Sequence, residues 1–190
     1  MQKIVKRIFD IGFAAVAVLW LFFPLVLIGI VVALTSKGPI LFWSERVGIR
    51  SPIFKMPKFR SMKMNAPVVA THLLGDPKIH LTVIGEFLRK SSLDELPQLW
   101  SILTGDMSLV GPRPALFNQY DLIQLRAREG VDQLLPGLTG WAQVNGRDEL
   151  SIEDKVALDV FYLKNQSLWL DIKILWMTLI KVVRREGVSH

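Results

Sequence analysis

The feature that most constrains this chain is a stretch without charged residues between positions 11 and 36. Its 26 residues would form a straight helix of about 39 Å at about 1.5 Å per residue, longer than the hydrocarbon core of a bilayer, which is about 30 Å thick. A cleaved signal peptide explains it poorly, because the apolar region of a signal peptide is usually only about 7–15 residues long. The stretch therefore predicts an N-terminal membrane segment.

The charges on either side of this segment indicate how it enters the membrane. Cations precede it, and cations also dominate the sequence after it as far as residue 63. Because positively charged flanks stay on the cytoplasmic side, a hairpin that enters and leaves by one face satisfies both clusters. Pro24 lies near the midpoint, where its missing N–H and its ring favour a kink. We expect a re-entrant hairpin with its break at Pro24; a single-pass span is the alternative, since proline also kinks ordinary spanning helices.

The overall composition excludes several kinds of site. The chain has no cysteine and only three scattered histidines, which argues against a disulfide scaffold, a cysteine nucleophile, a zinc ribbon and an iron–sulfur centre. Its net charge of +6 favours acidic partners. Nucleic acid fits poorly as a partner, because no nucleic-acid-binding motif accompanies the membrane segment.

After the membrane segment the pattern predicts a small, helix-rich α/β domain. Two short apolar stretches broken by Gly, Pro and Ser, within 38–63, are typical of hairpin strands. Helices are expected over about 84–89, 93–103 and 115–130, whereas 105–114 and 136–147 contain so much Gly and Pro that we expect shaped loops there.

The C-terminal stretch carries apolar residues at helical spacing and cations on the opposite side. The apolar positions are Leu168, Ile172, Leu175, Trp176, Leu179, Ile180 and Val183. A basic amphipathic helix with tryptophans is typical of a segment that lies in the membrane interface. An ordinary helix that faces the protein core fits the same periodicity, and the sequence does not separate the two.

Asp94 and Glu95 are the first candidates for chemistry. A capping box, with Ser92 as N-cap and Glu95 three residues later, explains the same residues without any function. However, Arg89 and Lys90 lie within one turn upstream, and cations of this kind keep a carboxylate ionised and bind phosphate. An ionised aspartate in such surroundings is a plausible nucleophile toward phosphorus.

Three further segments offer cations on restrained backbone. Prolines on both sides of Arg113, in Gly111–Pro114, would present its guanidinium with little entropy to lose. Arg147 follows a glycine-containing loop, and Lys58 belongs to the basic stretch 57–63. Each alone could be a solvated turn or a surface that contacts anionic lipid. Together they favour transfer of a phosphorylated group at a bilayer surface.

The sequence resembles the small monotopic phosphoglycosyl transferases of the bacterial sugar transferase family. The similarity extends over nearly the whole chain and rests on an ordered series of motifs: KRIFDI at 6–11, the proline-broken apolar segment, ERVG at 45–48, KFRSM at 58–62, LRKSSLDELPQL at 88–99, GDMSLVGPRP at 105–114, PGLTGWAQVNGR at 136–147 and SLWLDIKIL at 167–175.

The resemblance implies a reaction. A sugar phosphate would move from a UDP-sugar to polyprenyl phosphate, with release of UMP, in a ping-pong sequence that starts glycan assembly. Asp94 would form a covalent phosphosugar intermediate and hold Mg²⁺ with the diphosphate, and Glu95 would orient or polarise the acceptor. The residues implied to bind phosphates or the nucleotide are Lys58, Arg89, Pro112, Arg113 and Arg147.

The resemblance also implies an architecture and a location. Residues 1–36 would form a re-entrant helix-break-helix hairpin, and 37–190 a cytoplasmic α/β catalytic domain with amphipathic interfacial helices, at the inner membrane of a bacterium. Two other classes of protein stay open as alternatives. One is a catalytically silent, membrane-anchored protein that binds a nucleotide or a partner, and the other is a polytopic lipid-phosphate transferase, which needs several spans.

Overall fold

A long helix and a set of short elements make up the part of the chain that the computed structural model describes, residues 2–69, 76–146 and 150–184. Helix α1 spans Gln2–Thr35 and is followed by strands β1 (Leu41–Val47) and β2 (Ile53–Phe59). The remaining helices are α2 (Gly85–Lys90), α3 (Leu99–Thr104), α4 (Tyr120–Arg128), α5 (Trp141–Val144), α6 (Ile152–Asn165) and α7 (Leu168–Arg184). Strands β3 (Ser108–Val110) and β4 (Gly137–Thr139) and 3-10 helices at Pro77–His80, Leu93–Gln98 and Val131–Gln133 complete the fold.

Helix α1 is long and apolar enough to cross a membrane, with a mean hydropathy of 2.9 over its most apolar window, and it is the one such helix among the described residues. Most of its apolar side chains are exposed, Leu19, Trp20 and Phe23 among them. A membrane anchor at the N-terminus is thus consistent with the structure. The helix runs through Pro24 without interruption, so the two separate helices expected on either side of Pro24 are not confirmed.

Strands β1 and β2 form an antiparallel hairpin, which confirms the strands predicted within 38–63. Their register pairs Phe42 with Lys58, Ser44 with Met56 and Arg46 with Phe54. Side chains of directly paired residues lie on the same face of a sheet. Met56 is buried in the main core, so this face contacts the main cluster, whereas Phe59, on the other face, belongs to a second cluster.

Strands β3 and β4 form a short parallel pair, Ser108 opposite Gly137 and Val110 opposite Thr139. The expectation that 105–114 holds no regular element is therefore wrong for Ser108–Val110, which is fully buried. The loop expected over 136–147 is likewise wrong for Gly137–Thr139, which forms β4, and for Trp141–Val144, which forms α5. The pairing fixes the loop Gly111–Pro114 in place, since Gly111 donates a backbone N–H to the Thr139 carbonyl oxygen at 2.9 Å.

Among the described residues, the buried apolar side chains form three clusters, and α1 contributes to two of them. Ala14 joins the main cluster around Ile102 and Ile174, and Val32 joins a second cluster with Phe59 and Leu88. The third cluster, around Ala115, Leu122 and Val156, lies beneath α4 and α6. The anchor helix is thus part of the folded domain near both of its ends.

Helix α7 buries a face different from the apolar stripe predicted for it. Leu170, Asp171 and Ile174 face the interior, whereas Trp169 and Trp176 are 77% and 63% exposed. Of the predicted stripe, Ile172, Trp176 and Leu179 are exposed. The alternative in which the predicted apolar stripe faces the protein core is therefore wrong for these three positions.

Candidate active site

The Asp94–Glu95 pair lies on a tight 3-10 helix held between two core clusters. Leu93 packs against the cluster that contains Val32 and Leu88, and Leu99 belongs to the main cluster. Strand β2 packs against the same 3-10 helix. The dyad is therefore fixed from both ends of its helix and covered by the hairpin.

The turn into this helix contradicts the capping-box alternative. Ser92 has a φ of 56° and its side chain makes no capping hydrogen bond. A non-glycine residue in the left-handed region costs about 1 kcal/mol or more. The Glu95 carboxylate, which would bond back to Ser92 in a capping box, turns instead toward two cations. The strained backbone at Ser92 is thus not part of a helix cap, and it precedes the ion pairs of Glu95 with Lys58 and Arg113.

Glu95 is the centre of a short ion-pair cluster. Lys58 Nζ and Arg113 Nη2 each donate to Glu95 Oε1 at 2.8 Å. Burial acts to raise the pKa of Glu95, but Arg113 and Lys58 outweigh it and hold that pKa well below the usual range. Burial also lowers the pKa of Lys58, which the negative charge of Glu95 partly opposes. Glu95 is thus an ionised group that orients two cations.

Asp94 is in a different state although it is the next residue. It is 8% exposed, and within the described part of the chain it makes neither a hydrogen bond nor an ion pair. Burial raises the pKa of Asp94 to about 6, because the attraction of Lys58 only partly offsets the loss of water. An ionised carboxylate with few interactions is a stronger nucleophile than one held by short ion pairs. Of the two carboxylates, Asp94 is therefore the better candidate for a nucleophile.

Arg113 is presented by a rigid loop, as the prolines around it predict. Arg126 Nη1 donates to the Arg113 carbonyl oxygen at 2.8 Å, and Arg126 in turn binds buried Asp159 at 2.7 Å. The Pro112 carbonyl oxygen accepts the Gly137 N–H at 2.9 Å. A Cβ on Gly111 would overlap the carbonyl oxygen of Leu135, so this position requires glycine. Pro112 shapes the loop through its backbone.

Arg89 lies near the dyad on the side of α2. It contributes to the electrostatic environment of Asp94, whose pKa it lowers against the effect of burial, and its Nη1 lies 3.2 Å from the sulfur of Met62. Arg147 is outside the described residues, so its place is not assigned. Pro24 belongs to α1 and is separate from this cluster.

The structure adds Arg46, which the sequence motifs include but which was not predicted as a site residue. Its Nη1 donates to the Pro114 carbonyl oxygen at 3.0 Å. Burial, and then the charge of Arg113, lower the pKa of Arg46 to about 10, so it stays cationic at neutral pH. The signal that could have found it is the alternation of β1, which places Arg46 and Lys58 on one face of the hairpin.

The charges of this cluster suit a polyanion. Four cations surround two carboxylates, so the six side chains carry a net +2 when both acids are ionised: Lys58, Arg46, Arg89 and Arg113 with Asp94 and Glu95. The described residues include no group of three or more His, Cys, Asp or Glu that could hold a metal ion.

The comparison with known families assigns the chain. The family model described as "Bacterial sugar transferase" matches residues 1–185. The chain belongs to the bacterial sugar transferase family. The resemblance read from the motifs is therefore confirmed, and the dyad, Lys58, Arg89 and the Gly111–Pro114 loop lie within the matched region of this family member.

Curated relatives include proteins with assigned activities. The chain is 43% identical to the "Uncharacterized sugar transferase EpsL" of Bacillus subtilis, over 98% of this chain and 91% of that protein. It is 41% identical to the "UDP-glucose:undecaprenyl-phosphate glucose-1-phosphate transferase" of Escherichia coli, over 95% and 40%. It is 38% identical to the "Undecaprenyl-phosphate galactose phosphotransferase" of Salmonella typhimurium, over 98% and 42%. The chain thus spans about two fifths of the length of the Escherichia coli and Salmonella typhimurium proteins.

Proposed function

We propose that this protein transfers a sugar phosphate from a UDP-sugar to polyprenyl phosphate and releases UMP. The observation that supports this most is the buried, unpaired carboxylate of Asp94 next to a carboxylate already neutralised by Lys58 and Arg113. Nucleophile and phosphate-binding cations then lie side by side on a membrane-anchored domain. Relatives named as undecaprenyl-phosphate sugar phosphotransferases share the family, which agrees with this reaction.

The proposed chemistry proceeds through two displacements at one phosphorus atom. A carboxylate oxygen of Asp94 forms a bond to the β-phosphorus, and the bond between that phosphorus and the bridging oxygen breaks, so the electron pair leaves on UMP. A phosphate oxygen of the acceptor then attacks the same phosphorus, and the acyl phosphate bond breaks to restore the carboxylate. Because the pKa of Asp94 is about 6, this carboxylate is ionised in most enzyme molecules at neutral pH.

Glu95 supports this chemistry indirectly. With both of its cations bound to one oxygen at 2.8 Å, it fixes where Lys58 and Arg113 meet the diphosphate. A preorganised pair of cations stabilises charge that grows on the phosphates without reorganisation during the reaction. We assign Glu95 the role of positioning these cations, which differs from the role of orienting or polarising the acceptor that the family resemblance implies.

We also propose Mg²⁺ as a cofactor held by Asp94 and the diphosphate together. Asp94 is the dyad carboxylate not engaged by a short ion pair, and Mg²⁺ in proteins commonly takes one or two carboxylates plus phosphate oxygens. Bound there, the ion would neutralise phosphate charge. The residues present fit an ion that arrives with the substrate better than an all-protein metal site.

The same proposal places the protein at the cytoplasmic face of a bacterial inner membrane, with α1 re-entrant. Near its start, Arg7 Nη1 donates to the Ile102 carbonyl oxygen at 2.7 Å, and near its end Arg60 binds Ser36. A straight helix would place residues 10 and 32 about 33 Å apart, about the thickness of the hydrocarbon core. Contacts from both ends to one domain favour entry and exit on the same side.

The exposed apolar side of α7 supports a location at the interface. Trp169, Ile172, Trp176 and Leu179 are all exposed, and their spacing places them along one side of the helix. Tryptophan favours the headgroup region of a bilayer. We propose that this side of α7 contacts the membrane surface.

The decisive experiment compares Asp94→Asn with Asp121→Asn, an exposed aspartate on α4 that serves as the matched control. Release of UMP from UDP-sugars in the presence of polyprenyl phosphate and Mg²⁺ is measured for each. Asp94→Asn should lower turnover by at least about 1,000-fold, because an amide cannot form the acyl phosphate, and Asp121→Asn should match the wild type. EDTA should stop the wild-type reaction and added Mg²⁺ should restore it.

Two results would overturn the assignment. Full turnover by Asp94→Asn would show that Asp94 is not the nucleophile. Binding of UDP-sugars by the wild type without release of UMP from any of them would favour the alternative of a catalytically silent nucleotide-binding protein. Mass spectrometry of wild type and variant after incubation with UDP-sugar alone tests the covalent intermediate, since the added sugar phosphate should be found on the wild type only.

A further inference from the structure

Arg46 is a cation whose hydrogen bonds leave one nitrogen available. Its Nε donates to Ser44 Oγ at 2.9 Å and its Nη1 to the Pro114 carbonyl oxygen at 3.0 Å. Among the described residues, no carboxylate lies within ion-pair distance of Arg46, and its Nη2 donates no hydrogen bond. Both of its acceptors are neutral. The guanidinium is therefore held rigidly while its charge is uncompensated by a direct partner.

The register of the hairpin directs this charge to the catalytic face. Phe42 pairs with Lys58, and Arg46 lies four residues farther along β1, about 13 Å from that pair at about 3.4 Å per residue. Residues separated by an even number along a strand share a face. Arg46 and Lys58 thus approach the dyad from two ends of one face.

The charges around the dyad have an order that follows the fold. Arg89 acts on Asp94 and belongs to α2, which packs through Leu88 against Val32 of the anchor helix. Arg113 and Glu95 are the charges that act on Arg46. Beyond Arg46, Val47 packs on the cluster beneath α4 and α6. The row of cations therefore runs from α2, which packs on the anchor helix, to the cluster beneath α4 and α6, in which no described residue of α1 takes part.

On the basis of the proposed function, this order of cations gives different sides of the site to the phosphate of the lipid acceptor and to the phosphate that leaves on UMP. The lipid acceptor must come from the membrane, which is the side of Arg89. The nucleotide is water-soluble and leaves toward solvent. When the β-phosphorus bonds to Asp94, the negative charge that develops on the departing phosphate needs a cation away from the membrane, and Arg113 and Arg46 lie on that side.

We propose that Arg46 binds the phosphate that remains on the nucleotide, through the free Nη2 of its guanidinium. Arg113 and Arg46 then form the nucleotide side of the site, and Arg89 the lipid side. Arg46 takes no part in bond making. It stabilises the negative charge that develops on UMP as the bridging oxygen gains its electron pair.

The test compares Arg46→Gln with Lys55→Gln, which removes the same charge from an exposed position on the opposite face of the hairpin. Binding of UMP and of uridine to the full-length enzyme in detergent is measured for both, together with kcat/KM for the UDP-sugar and for polyprenyl phosphate. We expect Arg46→Gln to weaken UMP binding about 10-fold, the usual effect of losing one charge-assisted hydrogen bond. Uridine binding, and kcat/KM for polyprenyl phosphate, should be unchanged.

Two outcomes would contradict the role of Arg46. Equal loss of UMP and uridine binding would mean that Arg46 only supports the loop at Pro114, and unchanged UMP binding with a lower kcat/KM for the acceptor would place it on the lipid side. Arg46→Lys, which keeps the charge, covers the case in which Arg46→Gln fails to fold, and it should lose less UMP affinity. Wild-type enzyme that releases no UMP from any UDP-sugar would refute the proposed function itself, whatever Arg46 does.

Discussion

At the scale of single residues, the site shows how one environment gives two neighbouring carboxylates opposite properties. Glu95 receives two short charged hydrogen bonds, so its charge is stabilised. Asp94 shares the burial but receives no such bonds, so its charge is costly. The result is an Asp94 carboxylate that is desolvated but still ionised at neutral pH, as the proposed nucleophile requires, and the rest of the fold must offset the cost of burying that charge.

That cost can be measured as a pH-dependent difference in stability between the wild type and Asp94→Asn. Burial raises the pKa of Asp94 from 3.8 to about 6, and each pKa unit is worth about 1.4 kcal/mol. The charged Asp94 therefore lowers the free energy of unfolding by at most about 3 kcal/mol above pH 6. We expect Asp94→Asn to have the higher Tm at pH 7.5 in the absence of UDP-sugar and Mg²⁺.

The sign of the effect follows from which state binds the proton more tightly. A raised pKa means that the folded protein binds the Asp94 proton more tightly, so the wild type recovers stability as the pH falls from about 6 to 4. The difference in Tm should accordingly shrink over that range. Asp121→Asn controls for the loss of an exposed carboxylate. Equal Tm values for wild type and Asp94→Asn at pH 7.5 would show that Asp94 is not desolvated.

The residues of the site were predicted unevenly from the sequence. Asp94 was recognisable from the cations just upstream, Arg113 from the prolines on both sides of it, and Lys58 from its basic stretch. Arg46 was not, because its role depends on which residue of β2 it faces. The capping-box alternative for Ser92 failed because local spacing does not include the long-range pull of two cations on Glu95.

At the scale of elements, α1 is fastened to the domain by cations at helix ends. Arg60 Nη2 donates to the Ser36 carbonyl oxygen and to Ser36 Oγ, both at 2.7 Å, just beyond the last turn of α1. At the other end of α1, the Arg7 side chain donates to the carbonyl oxygens of Ile102 and Leu103 in the last turn of α3. A cation at a helix C-terminus satisfies carbonyls that have no partner within the helix.

We predict that Arg60→Met loosens α1 from strand β2. Methionine keeps much of the side-chain volume but cannot donate to Ser36, and a lost hydrogen bond to a buried charge costs about 1.5–3 kcal/mol. The Tm in detergent, followed by tryptophan fluorescence, should fall by several degrees. Lys37→Met, which removes an exposed cation at the next position, should leave the Tm unchanged. An unchanged Tm in Arg60→Met would argue against this role.

The elements themselves were predicted where local signals are strong. The helix at 84–89 and the β1–β2 hairpin match within a few residues, whereas the helix expected over 93–103 divides after Gln98 into a 3-10 helix and an α-helix. Strand β3 was missed because three residues between glycines give no periodicity, and a parallel pair is visible only when its partner, β4, is known. Long-range pairing is the information that a single sequence lacks.

At the scale of the whole molecule, the fold arranges its charges relative to the membrane anchor. The cluster that contains Val32 and Leu88 connects α1 to α2, and α2 carries Arg89 at the edge of the site. The exposed side of α7 adds a second apolar surface. An enzyme with a soluble donor and a lipid acceptor needs such polarity, because its two substrates approach from different phases.

The re-entrant path of α1 is the prediction on which this orientation depends. The chain contains no cysteine, so single cysteines can be introduced at Ile4, at Lys37 and, as a marker of the catalytic domain, at Glu153, all of them exposed. Inside-out inner-membrane vesicles and intact spheroplasts are treated with a membrane-impermeant maleimide. All three positions should label in the vesicles and none in spheroplasts, because both ends of α1 contact the same domain.

Cysteine at Leu19 supplies the control for membrane burial. This side chain is 76% exposed on α1, so it should resist labelling in both preparations and react once detergent dissolves the bilayer. Labelling of Ile4→Cys in spheroplasts, with Lys37→Cys labelled only in vesicles, would establish a straight span. The hydrogen bond of Arg7 to Ile102 in α3, and those that Asp10 accepts from Ser108 Oγ and the Leu109 N–H in β3, could not then form in the membrane, since α3 and β3 would lie on the far side of the bilayer.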